Sequence, residues 1–203
     1  MDWEGFSLSI AVFASGDGSN FEVLVEKSRR QGWPQSITLL ITDRPEAPVL
    51  ERAQRLGVAA MAFRPSDYEN KAAYEEAILA ELRKQGIQRI LLAGYMRIVG
   101  PVLLEAYRWR ILNIHPSLLP AFQGKDAPEQ ALNYGVRWTG VTVHWVDQGI
   151  DTGPIIDQKP VLVEPGETVD SLRKKIQFVE HNLYPMVVRK WLTGEIHSPE
   201  GKE

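Results

Sequence analysis

Apolar and polar positions follow a strand–helix rhythm through the first half of this chain. Residues 8–14 form an apolar run, as expected of a strand buried on both faces. The run ends in Ser15-Gly16-Asp17-Gly18-Ser19-Asn20, a turn that closes on helix-capping residue types. Phe21, Leu24 and Val25 then recur at the spacing of a buried helical stripe. Residues 37–41 predict a second strand, 47–56 a helix and 59–63 a weaker third strand. Residues 70–85 are rich in Ala, Glu and Leu, with Tyr74, Ile78 and Leu82 four apart, which predicts a helix. Two further short apolar runs, 89–93 and 111–114, flank a helix expected to begin near Pro101. This βαβα order implies a parallel sheet with helices on both faces.

The pattern then changes. Residues 140–146 alternate and are β-branched, 155–163 are again extended, and 149–153 read as the loop between them. Two strands joined so closely make the later sheet partly antiparallel. A long helix over 168–192 closes the pattern, with a bend expected near Pro185. The predicted class is α/β: a Rossmann-like, mostly parallel twisted sheet with helices on both faces and an antiparallel C-terminal portion. With no repeat or composition break, residues 1–203 read as one domain, with 1–7 a leader and 199–203 a flexible tail.

Composition narrows the chemistry. A net charge of -3 gives no basic field for nucleic acid. The absence of cysteine removes disulfide, thiolate–zinc and thiol-nucleophile chemistry, and fits a cytoplasmic protein. The most apolar region, 90–104, is interrupted by Arg97 and two glycines, so no membrane span is expected. The acidic start Met1-Asp2-Trp3-Glu4 does not resemble a signal peptide.

The densest candidate site is Asn113-Ile114-His115-Pro116-Ser117-Leu118-Leu119-Pro120. Asn113 and His115 are two apart and share one face of an extended strand, which Pro116 ends. The Gly16–Asn20 turn suits a phosphate, because backbone N–H groups and a helix N-terminus converge there; an ordinary strand-to-helix turn is the alternative. A dinucleotide fingerprint fails at Phe21, where a third glycine is needed, and no Walker-type Gly-Lys-Ser/Thr follows. His144 reads as a structural histidine in a strand, His181 as a solvated or partly packed one, and His197 lies near the end. No histidine pair has metal-ligand spacing, so no metal is expected. Ser117 lacks a nucleophile elbow and reads as a turn former. Asp151 alone reads as a capping residue in a glycine-bounded loop.

Together these segments resemble the phosphoribosylglycinamide formyltransferase family over about residues 8–195. The resemblance rests on the Ser15–Asn20 turn, Leu92-Ala93-Gly94-Tyr95-Met96-Arg97-Ile98, the segment Asn113 to Pro120, Val143-His144-Trp145-Val146 and Asp151-Thr152-Gly153-Pro154. It implies a formyltransferase fold and transfer of a formyl group from 10-formyltetrahydrofolate to the amine of 5-phosphoribosylglycinamide in purine synthesis. It implies Asn113, His115 and Asp151 as the catalytic trio, Gly18, Ser19 and Asn20 as the substrate-phosphate loop, and Gln177 and Glu180 as substrate contacts. Met96, Arg97, Ile98 and Val99 match a folate-pocket segment that Asn113 also borders, and residues 148–153 a loop over the pteridine. Lys71 stands where some members carry an arginine near the folate tail; it keeps the charge and loses the bidentate fork. Gln123 replaces an expected proline, which implies a looser loop.

On this reading, Asn113 and a protonated His115 donate to the developing oxyanion. Asp151 beside the imidazole is expected to raise the His115 pKa. Glu180, as an anion, would hold the substrate amine. The partners are small molecules, with neither nucleic acid nor membrane, and the protein is a monomer or homodimer. Two alternatives stay open: a formyltetrahydrofolate hydrolase, whose relatives carry an extra N-terminal module, and a non-catalytic phosphosugar-binding protein. A methionyl-tRNA formyltransferase would need an additional basic C-terminal domain.

Overall fold

The computed structural model describes residues 9–199. The expected leader, 1–7, lies outside them, as does all of the expected tail except Pro199. Seven strands form one sheet in the order β3-β2-β1-β4-β5-β6-β7. These are β1 (Ser9–Phe13), β2 (Ser36–Thr42), β3 (Ala59–Ala62), β4 (Ile87–Leu92), β5 (Ile111–His115), β6 (Trp138–Trp145) and β7 (Ile155–Leu162). The pairings from β3 through β5 are parallel, and β5–β6 and β6–β7 are antiparallel. The helices are α1 (Ser19–Arg30), α2 (Val49–Leu56), α3 (Lys71–Lys84), α4 (Pro101–Ala106), α5 (Ala127–Tyr134) and α6 (Val169–Leu192).

Every residue of β1 is buried because each face of the strand meets its own core. Ile10 and Val12 point into a cluster with Phe21, Leu24 and Val25 of α1 and with Leu172, Ile176 and Tyr184 of α6. Ala11 and Phe13 point the other way, onto Tyr74, Ile78 and Leu82 of α3 and Leu103 of α4. An uninterrupted apolar run is what such a two-faced strand requires. β3, at the edge, exposes all three of its alanines, which explains its weak signal.

Asn70 caps α3 by accepting the Ala73 N–H, and Thr168 forms a capping box with Ser171 at the start of α6. The α6 helix continues through Pro185, which is buried. The strand-to-helix chemistry of α1 differs from expectation. Its N-cap is Gly18 at φ 79°, with no side-chain cap. A Cβ on Gly18 would sit 2.2 Å from Cγ2 of Val49, so close packing of α2 and a left-handed backbone both require glycine here.

The order of strands reverses between β1 and β4, since β2 and β3 lie to one side and β5 to the other. Crevices at such a reversal, beyond the carboxyl ends of the strands, are where open α/β sheets bind ligands. Here the two ends are tied together: Ser15 N donates to Gly94 O at 3.1 Å, and Met96 N donates to Ser15 Oγ at 2.8 Å.

Candidate active site

Asn113 and His115 close β5, and the register with β6 sets Asn113 against His144 and His115 against Thr142. The loop after β6 returns Asp151 to the same place. Its geometry depends on glycines: a Cβ on Gly153 would lie 1.8 Å from Trp145 O. Asp147 Oδ1 accepts from Gly149 N and Thr152 Oγ1, fixing the rest of the turn. Asp151 itself is left-handed, with φ 54°, a conformation aspartate tolerates better than most residues.

The three side chains meet. Asn113 Nδ2 lies 3.2 Å from Asp151 Oδ1 and 3.1 Å from His144 Nε2. His115 Nδ1 lies 3.2 Å from Asp151 Oδ2. Two backbone groups complete the cluster: His115 Nε2 is 2.8 Å from Phe122 O, and Gly124 N donates to Asp151 Oδ2 at 2.9 Å. Since a carbonyl only accepts, His115 carries its hydrogen on Nε2. His144 Nδ1 is likewise 2.7 Å from Trp145 O and donates to it.

His144, the Phe122 carbonyl and the Gly124 amide were not expected in this site. The signal for His144 is its place in the alternating strand, which puts it directly across from Asn113 on the same face of the sheet once β6 pairs with β5. Gln123 also departs from expectation: its Nε2 donates to Asp151 O at 3.2 Å, so it links the two loops. Ser117 is fully buried and its hydroxyl donates to Ala121 O, in keeping with a turn former.

Burial sets the electrostatics. It pushes the His115 pKa down by more than the Asp151 charge and the Phe122 carbonyl bring it back up. The expectation of a raised value counted the carboxylate and left out desolvation. For Asp151, burial pushes upward, but the His144 ring, the Gly124 N–H and His115 together hold it below the ordinary carboxylate value. It therefore stays ionised. A protonated His115 has an acceptor at each ring nitrogen, so the site can seat the proton.

A second cluster joins the first turn to α6. Gln177 Nε2 donates to Ser19 Oγ at 2.8 Å, and Asn20 Nδ2 donates to Glu180 Oε2 at 2.9 Å. Arg52 anchors the turn from α2, through Asp17 at 2.7 Å and through Glu22. Burial drives the Glu180 pKa up to about 7, against the pull of Asn20. The expected full anion is thus only partly ionised at neutral pH. Tyr184, one turn beyond Glu180, donates its hydroxyl between Leu92 O and Leu112 O at 3.0 and 3.1 Å. That contact places α6 over the carboxyl ends of β4 and β5, next to Asn113.

The third segment, 95–100, lies beyond β4. Met96 and Ile98 are about half exposed, Val99 is buried, and the Arg97 guanidinium stands 5.7 Å from the Tyr74 ring. Tyr95 and Tyr74 share a hydroxyl hydrogen bond of 2.7 Å, and Gly100 N donates to buried Glu75. Lys71, exposed at the start of α3, passes beside Gly100: a Cβ there would lie 2.7 Å from its Cε. The expected folate-side residues 96–99 and Lys71 thus share one neighbourhood, though among the described residues no hydrogen bond or ion pair joins Lys71 to the trio.

The chain is similar to known proteins over most of its length. The family model described as formyl transferase matches residues 8–188. A phosphoribosylglycinamide formyltransferase of Bacillus subtilis is 50% identical over 182 residues, covering 90% of this chain and 93% of its own. The crystal structure of glycinamide ribonucleotide transformylase 1 from Geobacillus kaustophilus superposes with a TM-score of 0.89 at 53% identity, covering 92% of this chain and 100% of the other. The corresponding Symbiobacterium toebii structure gives 0.92 at 42% identity, with 97% and 93% covered.

Proposed function

This chain belongs to the formyl transferase family, and from that premise we propose that its trio moves the formyl group of 10-formyltetrahydrofolate to the amine of 5-phosphoribosylglycinamide. The enzyme is a phosphoribosylglycinamide formyltransferase of purine biosynthesis, acting on small molecules as a single cytoplasmic domain. The observation that carries the residue assignment is the convergence of Asn113, His115 and Asp151 within 3.2 Å contacts at the end of β5.

Attack of an uncharged amine on the formyl carbon builds negative charge on the formyl oxygen. Asn113 has amide hydrogens to give that oxygen, and His115 can donate once protonated. A lowered pKa makes the imidazolium a readier proton donor, and Asp151 seats it while it waits. The substrate amine must lose a proton, and the departing folate nitrogen must gain one. His115, exchanging a proton next to an ionised Asp151, can carry that traffic through water.

Around this centre, Gly18, Ser19 and Asn20 offer an uncapped helix start to the substrate phosphate. Gln177 and Glu180 hold the turn from α6 and face the amine side. Met96, Arg97, Ile98 and Val99, with Lys71 further out, form the folate side. The exposed apolar surface of Met96 and Ile98 supports that role.

The test is His115→Ala. Turnover should fall on the order of 100- to 1,000-fold with substrate binding largely kept. Near-normal turnover would remove His115 from the chemistry.

A further inference from the structure

The opposite end of the strands from the trio carries a cavity of about 310 Å³, between the amino-terminal parts of β4 and β5 and the end of α6. Arg110 lies three residues before Asn113 on the β5 side, roughly 10 Å along the strand direction, so this cavity is separate from the trio. Arg89, Arg110, Trp109, Trp191, His197 and Ser198 line it, and among the described residues no acidic side chain does.

The cationic groups here are held in place and left unmatched. The Arg89 guanidinium lies 4.5 Å from the Trp191 ring centroid, and Trp191 is fixed edge-on against Trp145 at 5.2 Å. Arg89 Nη1 is buried and has no hydrogen-bond partner among the described residues. The carbonyl end of α6 offsets part of the positive charge, yet none of its oxygens accepts from that nitrogen. Arg110 uses one nitrogen on Ala106 O and stacks 5.2 Å from Tyr107. Neither arginine has an ion pair among the described residues. Burial and the neighbouring Arg110 both push the Arg89 pKa down, a cost that an anion in the cavity would relieve.

We propose that this cavity is a binding site for a small oxyanion, a phosphoryl or carboxylate group, gripped by the guanidinium forks of Arg89 and Arg110. A guanidinium pre-set against an indole can donate to either group at little entropic cost.

The test is calorimetric titration of the full chain with inorganic phosphate and, separately, with citrate. Phosphoribosylglycinamide is kept saturating throughout, to occupy the Ser19–Asn20 turn. Arg89→Met and Arg110→Gln should each weaken binding about tenfold, the loss expected of a charge-assisted contact, with formyl transfer unchanged. Arg110 is the more exposed of the two, so its variant keeps the test valid if Arg89→Met fails to fold. Preference for phosphate or for citrate identifies the group recognised. Identical binding in the parent and in a folded variant overturns the proposal. So does binding seen only after residues 200–203 are removed, which assigns the cavity to the chain's own tail.

Discussion

Asn113 has two amide hydrogens, and both are committed, one to Asp151 and one to His144. To serve an oxyanion it must release one of them. The His144 contact is the cheaper to give up, since the Asp151 contact is charge-assisted. His115 is placed similarly: Phe122 O takes its Nε2–H, and Asp151 faces Nδ1. The resting site thus stores its donors on protein acceptors. Removing the Asp151 charge takes away an influence that raises the His115 pKa. In Asp151→Asn, the pH limb of kcat that reports protonated His115 should therefore move to lower pH, with reduced turnover. A limb moving upward, checked by kcat measured across pH, would contradict the assignment. Asn113 and His115 were legible from spacing and Pro116 alone. Asp151 gained a role only through resemblance, because the fold that brings residues 38 apart together is not local.

At the scale of elements, α6 joins the two halves of the site. Tyr184 binds two strand-end carbonyls, while Glu180 and Gln177, on the preceding turns, reach the first turn. Tyr184→Phe leaves both carbonyls without that donor and should cost about 1–3 kcal/mol in urea unfolding, with a higher KM for phosphoribosylglycinamide as the helix loosens. An unchanged stability and KM would show that α6 needs no such tether. Most elements were legible because apolar periodicity records which face is buried; α3 and its caps are the clearest case. The α5 helix was missed. It is only eight residues long, and its Pro128 near the start and Gly135 at the exit were the available signals. The uncapped start of α1 was also hidden, since Ser19 and Asn20 look like caps until α6 claims their side chains.

At the scale of the whole molecule, Glu180 couples stability to pH. Its folded pKa is raised from 4.5 to about 7, so its contribution to stability is fully present below about pH 4.5. It is lost as pH rises through about 7. The span is worth roughly 3 kcal/mol at ~1.4 kcal/mol per pH unit. Glu180→Gln should therefore be more stable than the parent at pH 8, and the advantage should vanish near pH 4.5. Thermal melts across that range check it. With Glu180 holding the substrate amine as proposed, the same variant should also raise the KM for phosphoribosylglycinamide. Asp151 and His115 act in the other direction. With both folded pKa values lowered, they withdraw stability as pH falls, His115 through its ordinary value near 6.5 and Asp151 further down.

The most direct measurement follows folate product release spectroscopically from 10-formyltetrahydrofolate, with and without phosphoribosylglycinamide. Release that depends on the amine, and falls on the order of 100-fold or more in His115→Ala, is the predicted result. Equal release with water alone would contradict the account and make the protein a hydrolase.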